Sequence, residues 1–186
     1  MKIYELESKP SGGRWIGYGY NSPRKVSIHR HFDNLWDNDV QNGYLNCVKF
    51  NYIREGKQGE RRDYPAWDQP IPIYSAKVVD AIGKEIQRHG RLFQIDVEGD
   101  KYYVQNLCER LYAYDYDESE IEYYPSGSPR KVLKYAMRAK AIGDRSIFRM
   151  TMHPSQVFAT DTFREMVESH DFTGFQFKEI NMKWID

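Results

Sequence analysis

The sequence predicts a single α+β domain, in which two main helices pack on a mostly antiparallel sheet. Three observations support this class. Of the 186 residues, 15 are tyrosine and 9 are phenylalanine, and aromatic side chains favour strands. Two segments carry apolar residues at helical spacing, while short alternating segments separated by Gly and Pro turns fill much of the remainder. A chain of 186 residues is also long enough to bury one apolar core.

Residues 1–70 are expected to form an irregular, β-rich part of the domain. The first strand is predicted at 2–6, and the segment 9–43 is rich in Gly, Asn, Asp and Ser without sustained periodicity, which predicts irregular surface structure. Within that segment, Gly17-Tyr18-Gly19-Tyr20 is predicted to be an ordinary loop, because no helix follows it as a phosphate-binding turn requires. Alternation over 44–53 predicts the next strand.

Residues 71–186 are expected to form the α+β core and to contain two similar strand–helix–strand units. In the first unit, 73–97, Ser75 is a suitable N-cap and Gly90 a suitable left-handed stop for the helix. The hydrophobic stripe of this helix consists of Val78, Val79, Ile82 and Ile86. Alternation in 92–97, the Glu98-Gly99-Asp100 turn and the strand pattern of 102–107 predict a hairpin.

The second unit, 157–180, repeats this pattern. Thr160 or Asp161 is expected to cap a helix that ends near Gly174, and a closing strand follows. Its inward side chains are expected to be Phe163, Met166 and Val167, with Phe175, Phe177 and Ile180 in the strand. Between the two units, 132–137 and 147–150 are predicted strands, and Ser126-Gly127-Ser128-Pro129 is a predicted turn.

Charge and terminal sequence restrict the class of partner. Because 27 Lys and Arg balance 27 Asp and Glu, the chain lacks the positive field of a typical nucleic-acid-binding protein, so no nucleic acid is expected. Residues 1–6 contain charges and no apolar run, and no later stretch is apolar enough for a membrane crossing. A cytoplasmic location without membrane contact is predicted, with Cys47 and Cys108 reduced and outside any zinc motif.

His29 and His31 are the residues that best support a catalytic or metal-binding alternative. Two residues apart on a strand, they would share one face, with Asp33, Asp37 and Asp39 close in sequence. No third ligand lies at a diagnostic spacing. A polar surface or hydrogen-bonding role is therefore the alternative interpretation of the same residues. No nucleophile or phosphate motif accompanies them, so the sequence predicts a protein that is not an enzyme and has no cofactor. The basic residues within 54–63 alternate with acids, which favours a solvated loop.

An acidic and aromatic stretch at 112–124 is the strongest candidate for a binding site. Carboxylates steer a basic partner, and tyrosine rings provide contact area at a low entropic cost. The alternative interpretation is a solvated loop with some tyrosines packed inward. The candidate partner-binding residues are Tyr114, Asp115, Tyr116, Asp117, Glu118 and Glu120.

From about residue 70 onward, the order of several short segments resembles a bacterial family. These segments are PIYS at 72–75, YYVQN at 102–106, IFRM at 147–150, VFATDTF at 157–163 and FTGFQF at 172–177. The chain is similar to the eleventh class of immunity proteins of polymorphic toxin systems, a family first described as a domain of unknown function. The resemblance implies an inhibitor that binds a cognate protein toxin, without a cofactor or catalytic residues. A structural adaptor that binds another protein is the remaining alternative.

Overall fold

The computed structural model describes residues 1–9, 13, 15–20, 48–52, 59–67, 71–107, 109–151 and 153–186. The described strands are β1 Ile3–Ser8, β2 Trp15–Tyr20, β3 Val48–Tyr52, β4 Ala66–Trp67, β5 Ile73–Ser75, β6 Arg91–Val97, β7 Asp100–Asn106, β8 Arg110–Leu111, β9 Tyr114–Tyr123, β10 Pro129–Met137, β11 Ile147–Met150, β12 His153–Thr160, β13 Phe175–Glu179 and β14 Met182–Trp184. The described helices are α1 Ala76–Arg88, α2 Ala139–Ile142 and α3 Asp161–Ser169.

The strands form three sheets in the described part of the chain. Their orders are β13-β1-β12-β11-β8, β14-β10-β9 and β4-β2-β3-β6-β7-β5. Each sheet contains antiparallel pairs and at least one parallel pair, such as β8 with β11, β10 with β14 and β3 with β6. The α+β prediction is therefore correct, but the mostly antiparallel sheet and the two main helices describe the fold only roughly. Among these residues, no helix has the length and apolar character needed to cross a membrane.

Residues 17–20 belong to strand β2, so the prediction of a loop there is wrong. Strand β2 pairs with β3 from Ile16 opposite Tyr52 to Tyr20 opposite Val48, and with β4 on its other side. Partners distant in sequence supply the hydrogen bonds that the local composition does not predict. The strand predicted at 44–53 is present as β3, whereas residues 44–47 lie outside the described part.

Helix α1 forms as predicted but ends for a different reason. The hydroxyl of the N-cap Ser75 accepts a hydrogen bond from the Val78 amide at 3.4 Å, and Val78, Ile82 and Ile86 are buried. Gly90 was expected to adopt a left-handed conformation, but it is not among the residues with positive φ. A Cβ added at this position by substitution would collide with the carbonyl oxygen of Asn106. Glycine is required there because the backbone of β7 lies so close.

The hairpin of the first unit is confirmed. Glu98 and Gly99 have φ angles of 53° and 91°, as a two-residue turn between twisted antiparallel strands requires. In the second unit, α3 has Thr160 at its N-cap and buries Phe163 and Val167, but it ends at Ser169, before the predicted region of Gly174. Strand β14 was not predicted.

The two helical units have the same strand connectivity. Strands β5 and β6, joined by α1, both pair antiparallel with β7. Strands β12 and β13, joined by α3, both pair antiparallel with β1. Buried side chains from both helices, including Ile82, Ile86 and Phe163, form one apolar cluster with Tyr64 and Phe175. We call this cluster the helix core.

Strand β12 separates the helix core from a second apolar cluster. Val157 and Ala159 face the helix core. Phe158, on the opposite face of the strand, belongs to a cluster with residues of the β9–β10 hairpin, and its ring lies 6.2 Å from that of Tyr135. The position of the hairpin therefore depends on the packing of the helical units.

A buried carboxylate joins the two helical units. Asp63, predicted to end an exposed loop, is only 9% exposed. Its Oδ1 accepts a hydrogen bond from the Ser75 hydroxyl at 2.8 Å. Its Oδ2 accepts bonds from the amide and hydroxyl of Thr173 at 2.9 and 3.1 Å. Lys77 Nζ lies 3.6 Å from the same oxygen. One side chain thus connects the first turn of α1 with the segment that leads into β13.

We expect Asp63→Ala to lower the free energy of unfolding by about 2–4 kcal/mol, because Ser75 and Thr173 lose their buried acceptor. Urea denaturation measures this value. The matched control is Asp80→Ala, on the exposed face of α1, which should change stability by less than about 0.5 kcal/mol. Equal effects of the two substitutions would contradict the structural role of Asp63.

Candidate functional site

The acidic and aromatic stretch forms strand β9 rather than a solvated loop. Strand β9 is the outer strand of the β14-β10-β9 sheet in the described part of the chain. It is joined to β10 by a tight turn in which the Tyr124 amide donates to the Ser128 carbonyl at 2.8 Å. Gly127, at the predicted turn, has a φ of 82°, which favours glycine.

A large bulge interrupts the pairing of β9 with β10. Asp115 pairs with Ala136, and the next pair toward the turn is Glu120 with Lys134. Four residues of β9 therefore stand opposite the single Tyr135. We call these four residues the acidic bulge: Tyr116, Asp117, Glu118 and Ser119.

Asp115 and Ser119 hold the base of the acidic bulge in place. The Ser119 hydroxyl donates to the Asp115 carbonyl at 2.5 Å and accepts from the Ala136 amide at 2.8 Å, so it replaces a backbone acceptor of the ladder. The Asp115 carboxylate accepts from the Glu118 amide at 3.2 Å and forms an ion pair with Arg138. The Glu118 amide, followed by Arg138, holds the pKa of Asp115 below its ordinary value of 3.8. Asp115 is thus a structural residue of the site.

The other predicted acids divide into paired and unpaired groups. Glu118 lies 3.1 Å from Lys183, and Glu120 lies 3.8 Å from Lys134. Glu122 lies 2.9 Å from Arg130 in the same way. Among the described residues, Asp117 has no ion-pair partner. The cations of β10 and β14 therefore cancel much of the negative field that the sequence suggested.

The tyrosines of the stretch occupy two different environments. Tyr114 is only 8% exposed and packs at 5.5 Å against Tyr135, inside the core. Tyr123 and Tyr124, near the turn, are 49% and 52% exposed. A hydrogen bond with Tyr123 and burial raise the pKa of Tyr116 to about 12. We call Tyr123 and Tyr124 the aromatic tip.

The aromatic tip is absent from the set of partner-binding residues predicted from the sequence. The guanidinium of Arg130 lies 5.9 Å from the ring centre of Tyr124, a distance at which the cation is attracted to the ring face. The signal available in the sequence was position, because both tyrosines lie just before the turn predicted at Ser126-Gly127-Ser128-Pro129. Residues next to a hairpin turn lie farthest from the core and so stay accessible.

The alternative site around His29 and His31, with Asp33, Asp37 and Asp39, lies outside the described residues, as do Cys47 and Cys108. Within the described ranges, no group of three or more His, Cys, Asp or Glu side chains is arranged to hold a metal ion. Among the basic residues within 54–63, Arg61 forms an ion pair with Asp100 at 2.9 Å.

Comparison with known proteins finds a family model that matches part of the chain. Residues 93–182 match the model of a family of immunity proteins. The family is Imm11, and the matched range extends from β6 into β14, including α3 and the complete β9–β10 hairpin. The resemblance predicted from the sequence is therefore confirmed over these residues. No curated protein matches the chain.

We expect Ser119→Ala to lower the free energy of unfolding by about 1–2 kcal/mol, because the Ala136 amide loses its acceptor. Hydrogen exchange of that amide should become faster, as measured by NMR. Ser126→Ala, in the exposed turn, removes a hydroxyl that donates to the Ser128 hydroxyl and should leave both quantities unchanged. An unaltered hydrogen-exchange rate at the Ala136 amide in the Ser119 variant would contradict the role of Ser119 in holding the bulge.

The lowered pKa of Asp115 gives a pH-dependent contribution to stability. A carboxyl group whose pKa is lower in the folded state stabilises the fold above its unfolded pKa, and this contribution disappears as the pH falls through the folded value. The stability difference between the unaltered protein and Asp115→Asn should therefore stay constant between about pH 5 and 7 and shrink below pH 3.8. Denaturation over this pH series measures it. The corresponding difference for Ser126→Ala, which removes no titrating group, should not vary with pH.

Proposed function

We propose that this protein is an immunity protein that neutralises a cognate bacterial toxin by direct contact, in the cytoplasm of the cell that makes both. The observation that carries this proposal is the match of residues 93–182 to the Imm11 immunity protein family. Protection then comes from stoichiometric binding and requires no catalytic turnover by the immunity protein.

We place the toxin-binding surface on the acidic bulge and the aromatic tip. Asp117 is exposed and forms no ion pair with a described residue, so a basic group of the toxin can bind it without breaking an internal contact. Tyr123 and Tyr124 offer about half of each side chain to a partner. Tyrosine and arginine side chains are frequent among the residues that dominate binding energy, and Arg130 lies beside Tyr124.

The hydrogen bonds that hold the base of the acidic bulge support the assignment of this surface to toxin binding. A surface that is already ordered pays less conformational entropy when it binds. Ser119 and Asp115 fix the backbone that carries Asp117 and Glu118. The side chains of Asp117 and Glu118, which we call the apex of the bulge, remain exposed. An inhibitor that saturates its toxin at low concentration needs a dissociation constant near ~1 nM, or about −12 kcal/mol. An interface of roughly 1,600 Å² with a few buried anchors provides this affinity.

The test of the function is protection from the toxin encoded beside this protein. Cells that express the toxin should survive only when this chain is co-expressed, and the two purified proteins should form a complex of fixed stoichiometry. Survival together with undetectable binding would contradict inhibition by contact. Steady toxin modification by catalytic amounts of this protein would likewise contradict it.

Substitutions at the apex and tip should weaken the complex without unfolding the protein. We expect Asp117→Lys to slow association and Tyr124→Ala to raise the dissociation constant about tenfold, since the first reverses an exposed charge and the second removes a contact ring. Surface plasmon resonance measures both effects. Asp80→Lys, an exposed charge reversal on α1, is the matched control and should bind like the unaltered protein. Equal association and dissociation rates for the three variants would show that this hairpin does not contact the toxin.

A further inference from the structure

Strand β9 leaves one side of its backbone open at the end of its sheet. It pairs with β10 on one side and is the outer strand of the β14-β10-β9 sheet in the part of the chain that the structure describes. No strand, bridge or backbone hydrogen bond from the described residues covers the other side of residues 120–123. An uncovered strand of this kind is a template on which another strand can pair.

The groups that face outward on this side belong to Ile121 and Tyr123. The Tyr124 amide donates inward, to the Ser128 carbonyl at 2.8 Å. Opposite Tyr123 stands Pro129, which has no amide hydrogen to donate. Because alternate residues of an antiparallel strand direct their N–H and C=O groups to opposite sides, those of Tyr123 and Ile121 point away from β10. We call these two N–H and two C=O groups the open edge.

The charged side chains of β9 itself are all acidic. The strand contains five acidic residues and no basic residue. The cations that pair with four of these acids come from β10, from the residue after it or from β14, and they are Arg130, Lys134, Arg138 and Lys183. All of these cations therefore lie on the side away from the open edge. A strand that approaches the open edge meets carboxylates and no cation of this sheet.

This distribution of charge argues against a second copy of the chain as the occupant. Antiparallel pairing of two β9 strands would place glutamates of one copy beside glutamates of the other, and like charges on facing strands are destabilising. A strand that carries lysine or arginine avoids this repulsion and can pair with Glu120 and Glu122, whose side chains are 66% and 41% exposed. The acidic bulge confines the pairing to residues 120–123, because the ladder is interrupted at 116–119.

We propose that the toxin adds a basic strand to β9 at residues 120–123, an inference that rests on the proposed function. Main-chain hydrogen bonds to Ile121 and Tyr123 set the register of the added strand. The carboxylates of Glu120 and Glu122 select lysine or arginine side chains in it. Tyr124 of the aromatic tip follows directly in the chain, so the open edge and the tip form one continuous surface.

Amide hydrogen exchange of the full chain, measured by NMR with and without the toxin encoded beside it, tests strand addition. In the free protein, the amides of Ile121 and Tyr123 should exchange faster than those of Glu120 and Glu122, which point toward β10. In the complex, the amides of Ile121 and Tyr123 should slow by about tenfold or more, and those of Glu120 and Glu122 should change less. Contact through side chains alone does not produce this alternation.

Two substitutions at one position isolate the contribution of the backbone. Tyr123→Ala and Tyr123→Pro both remove the ring, and only the second removes the outward N–H. Proline is tolerated on an outer strand where this group faces solvent, so both variants should unfold at nearly the same urea concentration. In surface plasmon resonance, the proline variant should dissociate from the toxin about tenfold faster than the alanine variant, as expected for one lost hydrogen bond. The exchange measurement depends on neither variant.

A third substitution tests the basic character of the added strand. Glu120→Lys reverses a charge beside the open edge and should slow association with the toxin, whereas Asp80→Lys, on the exposed face of α1, is the matched control. Equal association rates for these two variants would contradict a basic strand.

Strand addition and the proposed function fail through different results. A complex in which Ile121 and Tyr123 exchange as fast as in the free protein, or in which the alanine and proline variants bind equally, would overturn strand addition and leave the proposed function intact. Protection of these amides in the free chain that is lost on dilution would make a second copy the occupant instead of the toxin. If the chain neither binds the toxin nor protects cells from it, the proposed function fails and this inference fails with it.

Discussion

The buried carboxylate of Asp63 lies where the two helical units meet, and the remaining architecture depends on the hydrogen bonds it accepts. It ties the N-cap Ser75 of α1 to Thr173, which precedes β13. Since α1 and α3 share one apolar core, this tie sets the position of both helices. Strand β12 transmits that arrangement, because its two faces belong to the helix core and to the cluster beneath the hairpin. The orientation of the candidate binding surface therefore depends on the hydrogen bonds of the Asp63 side chain.

Features that depend on neighbouring residues were predictable from the sequence. The cap at Ser75, the stripe of α1 and the turn at Glu98-Gly99 each follow from local stereochemistry, and the structure contains all three. The family resemblance was also predictable, because it depends on short segments in a fixed order. The position of Tyr123 and Tyr124 next to the hairpin turn was a weaker signal of exposure. The aromatic tip was therefore missing from the predicted partner-binding residues.

Features that depend on distant partners were not predictable. Strand β2 forms because β3 and β4 flank it, and Gly90 is needed because the backbone of β7 approaches it closely. The acidic stretch looked like a uniform negative patch. In the folded chain, Lys134, Arg138 and Lys183 come from elsewhere to pair with three of its acids. Charge pairing across strands is a property of the register, which composition does not encode.

The residues that hold the acidic bulge in place differ from the residue that it exposes most freely to a partner. Ser119 and Asp115 form the bonds that hold the bulge, whereas the side chain of Asp117 contributes none of them. Mutations at the apex therefore change what the surface recognises at little cost to folding. The side chains that face solvent on the bulge can therefore vary while the residues that hold its backbone stay the same, so proteins with this fold can present different binding surfaces on one architecture.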